Sequence, residues 1–198
     1  QKTIALRSSD NRQVFYTNVN EAVLRKNFSA ALRYTFRRTF YNFHFVTLGH
    51  SRTQVNPEVL EVNPNYFQHN STILDYSYLQ YSFRHDKRDN VAYATDGELL
   101  QFTATKYGLW RGQDVDEVEI NITANRYIPL SQKFHFVSGL TGSWFLSPLQ
   151  PYTLVRGIGY SPNFIRGYEF NVIEGQQLYV HKNSLRWKFI DVAYDISN

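Results

Sequence analysis

The sequence predicts an all-β protein, an antiparallel β-barrel that crosses a membrane with its strands. Three observations predict it. Apolar and polar residues alternate with period two through most of the chain. Aromatics make up 17% of the residues while the mean hydropathy is −0.45, a combination suited to half-exposed aromatic positions on strands. No segment reaches the ~18 consecutive apolar residues that a spanning helix needs, so any spanning must be done by strands, whose backbone groups pair across a closed barrel.

Gln1 to Ser8 reads as the end of one strand. From Asn27, Phe28, Ala30, Leu32, Tyr34 and Phe36 alternate with Ser29, Ala31, Arg33, Thr35 and Arg37, giving a strand with one apolar and one polar face. After a short break at Arg37 to Thr39, a second alternating run from Tyr41 to His50 makes a hairpin with the first. Asn56 to Asn70, rich in proline and asparagine, reads as a long connection. Ile73 to Arg84 is a strand whose apolar parity changes, from Leu74, Tyr76 and Tyr78 to Leu79, Tyr81 and Phe83. That change predicts a bulge near Tyr78.

A turn from Asp86 to Asp96 leads through Gly97 into a strand with Leu100, Phe102 and Ala104 opposite Gln101, Thr103 and Thr105, ending at Trp110. The cleanest alternation follows, with Val118, Ile120, Ile122 and Ala124 opposing Glu117, Glu119, Asn121, Thr123 and Asn125, and its polar face suits only water. A tight turn at Pro129 to Gln132 joins it to a strand carrying Phe134, Phe136, Leu140 and Trp144, whose terminal aromatics resemble an interfacial girdle. Residues 148–176 lack sustained alternation, are punctuated by proline and glycine, and form a long loop. Leu185, Trp187 and Phe189 opposite Ser184, Arg186 and Lys188 make the last strand.

About eight strands of ~10 residues result, joined alternately by short turns and longer loops as in outer-membrane barrels. A soluble up-and-down barrel also alternates its faces, with the apolar side turned inward, and periodicity alone leaves both architectures open.

The net charge of +4 is scattered over strand positions, which gives nucleic-acid binding little support. The absence of cysteine does not place the chain in a redox compartment. Methionine is absent too, and we have no physical account of that. The six histidines, His44, His50, His69, His85, His135 and His181, fall on separate strands and loops without metal-motif spacing. Ser161 precedes proline and lies outside any G-x-S-x-G elbow, and Gly157-Ile158-Gly159 is a lone G-x-G. Asn27, Asn70 and Asn121 begin N-x-S/T triplets, but Asn121 falls inside a strand. The expectation is a protein without catalytic residues, metal or cofactor.

Two ordered segments give the chain a family resemblance. Asp86-Lys87-Arg88-Asp89-Asn90, followed by Tyr93, Thr95 and Gly97, is similar to a turn of the form D-x-R-D-N … P-T-x-G, with Ala94 where the proline usually stands. Ile165-Arg166-Gly167-Tyr168 is similar to a V-R-G-F/Y loop motif. In order and spacing, including Tyr127-Ile128-Pro129 between them, these segments resemble the BamA-like superfamily of outer-membrane assembly and translocation barrels, the bacterial surface antigen family.

The resemblance implies that residues 1–198 belong to one barrel domain, covering roughly the fifth to the twelfth strand of a sixteen-stranded barrel. It implies a periplasmic turn at Asp86, Arg88, Asp89, Asn90 and Gly97. Residues 148–176 become an extracellular loop that folds into the lumen and braces it through Ile165, Arg166, Gly167 and Tyr168. The family's principal acidic partner for the arginine lies beyond Asn198; Asp75, Glu117 and Glu119, on predicted lumen faces, are the candidates within the chain. The activity implied is assembly, insertion or translocation of client outer-membrane or secreted proteins at the outer membrane of a Gram-negative bacterium, by strand-edge pairing. The implied partners are the lipid bilayer, those clients, and periplasmic or lipoprotein accessory subunits. A barrel serving as anchor or export pore for a fused hydrolase is the alternative within the same architecture.

Overall fold

The computed structural model describes residues 3–7, 13–17, 24–63, 66–67, 71–147, 154, 157–158 and 173–189. Strands β1 (Thr3–Arg7) and β2 (Gln13–Thr17) pair with each other in a separate two-stranded sheet. Gln1 to Ser8, read from the sequence as the end of a strand, holds β1, and this strand pairs outside the main sheet.

The main sheet has seven antiparallel strands in the order β11-β8-β7-β6-β5-β4-β3 and is not closed. In chain order they are β3 (Arg25–Arg37), β4 (Asn42–Val55), β5 (Ile73–Asp86), β6 (Gly97–Tyr107), β7 (Glu117–Pro129), β8 (Phe134–Phe145) and β11 (Gln177–Trp187). Between the last two, β9 (Gly157–Ile158) and β10 (Ile173–Glu174) pair as a short ribbon in the long loop. Even the shortest main strands have 11 residues. At about 3.3 Å per residue and a tilt of about 45°, that length spans about 25 Å, enough for a bilayer's apolar band.

Residues 38–41, 87–96 and 130–133 join strands at one end of the sheet, here the turn end; β4, β6 and β8 finish at the other, the loop end. The 10 residues of 87–96 and the 9 of 108–116 are nearly equal, so the expected alternation of short turns and longer loops does not extend to this pair. The connection from Asn56 to Asn70 is not featureless, because it holds the helix α1 (Pro57–Val62). Pro57 suits the first helical turn, where its missing N–H is not needed, and the Asn56 side chain accepts a hydrogen bond from the Glu58 N–H at 3.2 Å.

The bulge predicted near Tyr78 is absent. Register runs unbroken from Asn42↔His85 to Gln54↔Ile73 on one side of β5, and from Tyr78↔Tyr107 to Asp86↔Leu99 on the other. The parity change has a different cause. Leu74, Tyr76 and Tyr78 stay on the inner face, where Leu74 and Tyr76 join an apolar cluster with Leu24, Val55, Val59, Phe67, Val115 and Leu154, while Leu79, Tyr81 and Phe83 stay on the outer face. One strand thus meets apolar surroundings on opposite faces at its two ends.

The pairing register makes the two faces explicit. Across the middle of the sheet, Tyr34, Val46, Tyr81, Ala104, Ile120 and Trp144 form one continuous apolar row on the outer face. The inner row one position away reads Arg33, Thr47, Gln80, Thr105 and Glu119. Burial follows the inner, polar row: Thr105 is 1% exposed and Glu119 6%, whereas the outer-face Leu32 is 77% exposed and Trp187 61%. A soluble barrel has the reverse arrangement, with its apolar side chains inside.

Candidate functional site

The turn between β5 and β6 is built from its own side chains. Arg88 donates from Nε to Asp86 Oδ1 at 2.8 Å and from Nη2 to Oδ2 at 2.9 Å, a two-pronged pairing that matches a planar guanidinium to a planar carboxylate. Arg84 binds the same carboxylate. The hydrogen bonds it donates to Asp86 hold the Arg88 guanidinium above its ordinary pKa, against the opposing effect of burial. Asp89 accepts from the Thr95 N–H at 2.9 Å and the Thr95 hydroxyl at 2.5 Å. Burial works against the charge on Asp89, but the Thr95 bonds outweigh it and lower its pKa to about 2. Asn90 Oδ1 accepts from the Ala92 and Tyr93 N–H groups, closing the tip.

Gly97 ends this turn at a φ of 101°, and a Cβ there would meet the Lys87 carbonyl oxygen at 2.1 Å. Only glycine fits both the conformation and the approach. Asp86, Arg88, Asp89, Asn90 and Gly97, which the family resemblance grouped together, meet in this one turn.

One participant in the turn was not singled out from the sequence. Arg186, on the inner face of β11, donates to the Ala94 carbonyl at 3.1 Å and lies 5.1 Å from the Tyr93 ring centroid. It ties the turn to a strand 92 residues away in sequence. Its place on the polar face opposite Leu185 and Trp187 marks it as an inner cation, but its partner is set only by the curvature of the sheet.

Above the turn, the inner wall is a ladder of polar side chains. Arg33 donates to Thr47, Gln80 to Thr105 and Ser143 to Asn121, with Ser82 and Thr103 bonded at 3.1 Å. The first two pairs face a hollow of about 700 Å³ lined by Arg25, Asn27, Arg33, Tyr78, Gln80 and Thr105 among others, while Ser82, Thr103 and Asn121 line a second of about 320 Å³. At the loop end of this wall stand two predicted lumen carboxylates. Glu119 accepts from the Tyr107 hydroxyl at 2.6 Å and from Asn121 Nδ2 at 2.8 Å. Glu117 is 1% exposed, and neither of its carboxylate oxygens has a hydrogen-bond partner among the described residues.

Asp75 does not join them. It lies on the outer face, where its carboxylate is 3.4 Å from His50 Nε2 and 3.7 Å from Arg52 Nη1. The assumed bulge near Tyr78 concealed this, because a continuous strand keeps Asp75 in phase with Leu79 and opposite Tyr76. The motif Ile165, Arg166, Gly167 and Tyr168 lies outside the described residues. Of the long loop, the described residues include Leu154, 7% exposed within the loop-end cluster, and the Ile158↔Ile173 pair. Among the described residues, no group of three His, Cys, Asp or Glu side chains is placed to hold a metal ion.

No family model matches the chain, and no curated protein matches it in sequence. Among solved structures it is similar to BamA from Haemophilus ducreyi lacking POTRA domains 1-3, with a TM-score of 0.56 and 14% sequence identity over 70% of this chain. The match covers 29% of that chain, so the present chain spans well under half its length. At this identity the likeness is one of fold: the chain has a BamA-like antiparallel β-architecture.

Proposed function

We propose that this chain is part of an outer-membrane barrel that assembles, inserts or translocates other proteins by pairing with the strand edges of its clients. The observation that carries this reading is the pair of faces. The outer row from Tyr34 to Trp144 is apolar across six strands, while the inner row from Arg33 to Glu119 is polar and hydrogen-bonded. Such a sheet is at home with hydrocarbon outside and water inside. The likeness to a BamA barrel supports the same architecture.

In this reading the short connections at the turn end face the periplasm and the loop end faces outward. The bilayer is the first partner, clients engage free strand edges, and periplasmic or lipoprotein subunits act as accessories. Residues 148–176 brace the lumen through Arg166, with Glu117 the better of the two inner carboxylates to receive it. A buried carboxylate without hydrogen bonds is expensive, and a guanidinium fork supplies the missing donors.

The test is reconstitution of the full-length protein in liposomes with an unfolded client barrel. Faster client folding than in empty liposomes, with crosslinks between client strands and the edge of the barrel, is the expected result. Client folding at the rate of empty liposomes overturns the assembly reading.

A further inference from the structure

On the outer face, at the loop end of β4 and β5, three side chains stand in a chemically ordered line. We propose that Ser77, His50 and Asp75 form a nucleophilic triad that hydrolyses the acyl esters of phospholipids. His50 and Ser77 are direct partners across the two strands, with His50 Nδ1 3.2 Å from Ser77 Oγ. The other ring nitrogen, Nε2, faces Asp75 Oδ1 at 3.4 Å. An ionised carboxylate only accepts, so it selects the tautomer with the proton on Nε2 and leaves Nδ1 free to accept from the serine hydroxyl.

A fourth residue completes the arrangement. Gln113 Nε2 donates to Ser77 Oγ at 3.1 Å, and its orientation is fixed, because its Oε1 accepts from the N–H groups of Leu109 at 2.8 Å and Trp110 at 3.4 Å. Its amide donors are therefore held beside the nucleophile, where an ester oxyanion develops. The loop that carries it is itself tied down, by Gly108 N–H to the Ser77 carbonyl and by Asp75 N–H to Asp114 Oδ2.

The surroundings name the substrate class. Two residues toward the turn end, on the same face, lies the exposed pair Leu48 and Leu79. Two residues toward the loop end stands Arg52, more than half exposed, which also holds the second oxygen of Asp75 at 3.7 Å. A phospholipid has the same order along its length, with acyl chain toward the leucines and phosphate toward the guanidinium. This substrate assignment rests on the membrane reading; the triad itself does not.

In the reaction, Ser77 Oγ bonds to the ester carbonyl carbon as its proton passes to His50 Nδ1. The ester C–O bond then breaks, and His50 returns the proton to the departing alkoxide, releasing a lysophospholipid. Water attacks the acyl-serine, giving its proton to His50 and then to Ser77 Oγ, and a fatty acid leaves.

The experiment uses the full-length protein in detergent. A fluorophosphonate probe, mapped by mass spectrometry, is expected on Ser77 of the wild-type protein. Hydrolysis of a short-chain nitrophenyl ester and release of fatty acid from phosphatidylethanolamine micelles are each expected to fall at least about 1000-fold in Ser77→Ala and His50→Gln. Asp75→Asn is expected to lower kcat more than it raises KM. A wild-type protein that takes no label on Ser77, or hydrolysis unchanged by Ser77→Ala, overturns the triad. Turnover of the soluble ester without the phospholipid overturns the lipid assignment, and bilayer insertion is read separately by quenching of tryptophan fluorescence by brominated lipids.

Discussion

At the scale of single residues, the turn from Asp86 to Gly97 shows how a motif becomes geometry. Its aspartates, arginine and asparagine were legible because each satisfies a neighbour within a few positions, and local hydrogen bonding leaves local spacing in the sequence. Gly97→Ala puts a side chain at positive φ against the Lys87 carbonyl and is expected to cost about 1–3 kcal/mol, read as a lower urea midpoint for the detergent-folded protein. Asp89 adds a pH dependence whose sign is fixed. Its folded pKa of about 2 lies below the ordinary carboxylate value of 3.8, so its contribution is complete above about pH 5 and is lost as pH falls toward 2. Hydrogen exchange of the Thr95 amide across that range is expected to quicken in the wild type and to be fast throughout in Asp89→Asn.

Among elements, the strands that read most clearly were those with one solvent on each side. β7 alternates cleanly because Val118, Ile120 and Ile122 face outward and Glu119, Asn121 and Thr123 face the polar interior along its length. β5 misled because its loop end packs Leu74 and Tyr76 inward under the apolar cluster while Leu79 and Tyr81 remain outward, so a straight strand carries two apolar phases. The helix α1 was hidden for another reason: six residues are too few to show a 3.6-residue period, and only the Asn56-Pro57 cap announces it. Contacts between distant elements left the least trace. The Arg186 clamp on the β5–β6 turn is the clearest case, and it makes a prediction of its own. Arg186→Ala is expected to raise amide exchange and proteolytic nicking within residues 87–96 by roughly fivefold or more, the loss of about 1 kcal/mol of hydrogen bonding and cation–π contact. Arg186→Lys keeps the charge but not the planar fork and is expected to restore protection only in part. Unchanged exchange in Arg186→Ala sinks the idea that β11 holds this turn.

For the whole molecule, the question is which solvent each face of the sheet meets, and adjacent residues on β6 pose it with little else changed. Ala104 stands in the outer row between Tyr81 and Ile120; Thr103 stands on the inner face beside Ser82 and Asn121. Arginine at either site sits in the same strand with nearly the same backbone neighbours, and strand propensity alone penalises loss of Thr103 more than loss of Ala104, so it cannot produce the order expected in a membrane. If the outer face meets hydrocarbon, Ala104→Arg places a charge in lipid and costs about 2–4 kcal/mol near the bilayer midplane, whereas Thr103→Arg enters a hydrated interior and costs little beyond its hydrogen bond to Ser82. In water the order reverses. An exposed Ala104→Arg is then close to neutral, and the crowded inner position suffers more. Urea unfolding of both variants in phospholipid bilayers measures the difference directly. A loss of stability confined to Ala104→Arg is the expected outcome, and equal or inverted costs would remove the physical basis for placing this sheet in a membrane.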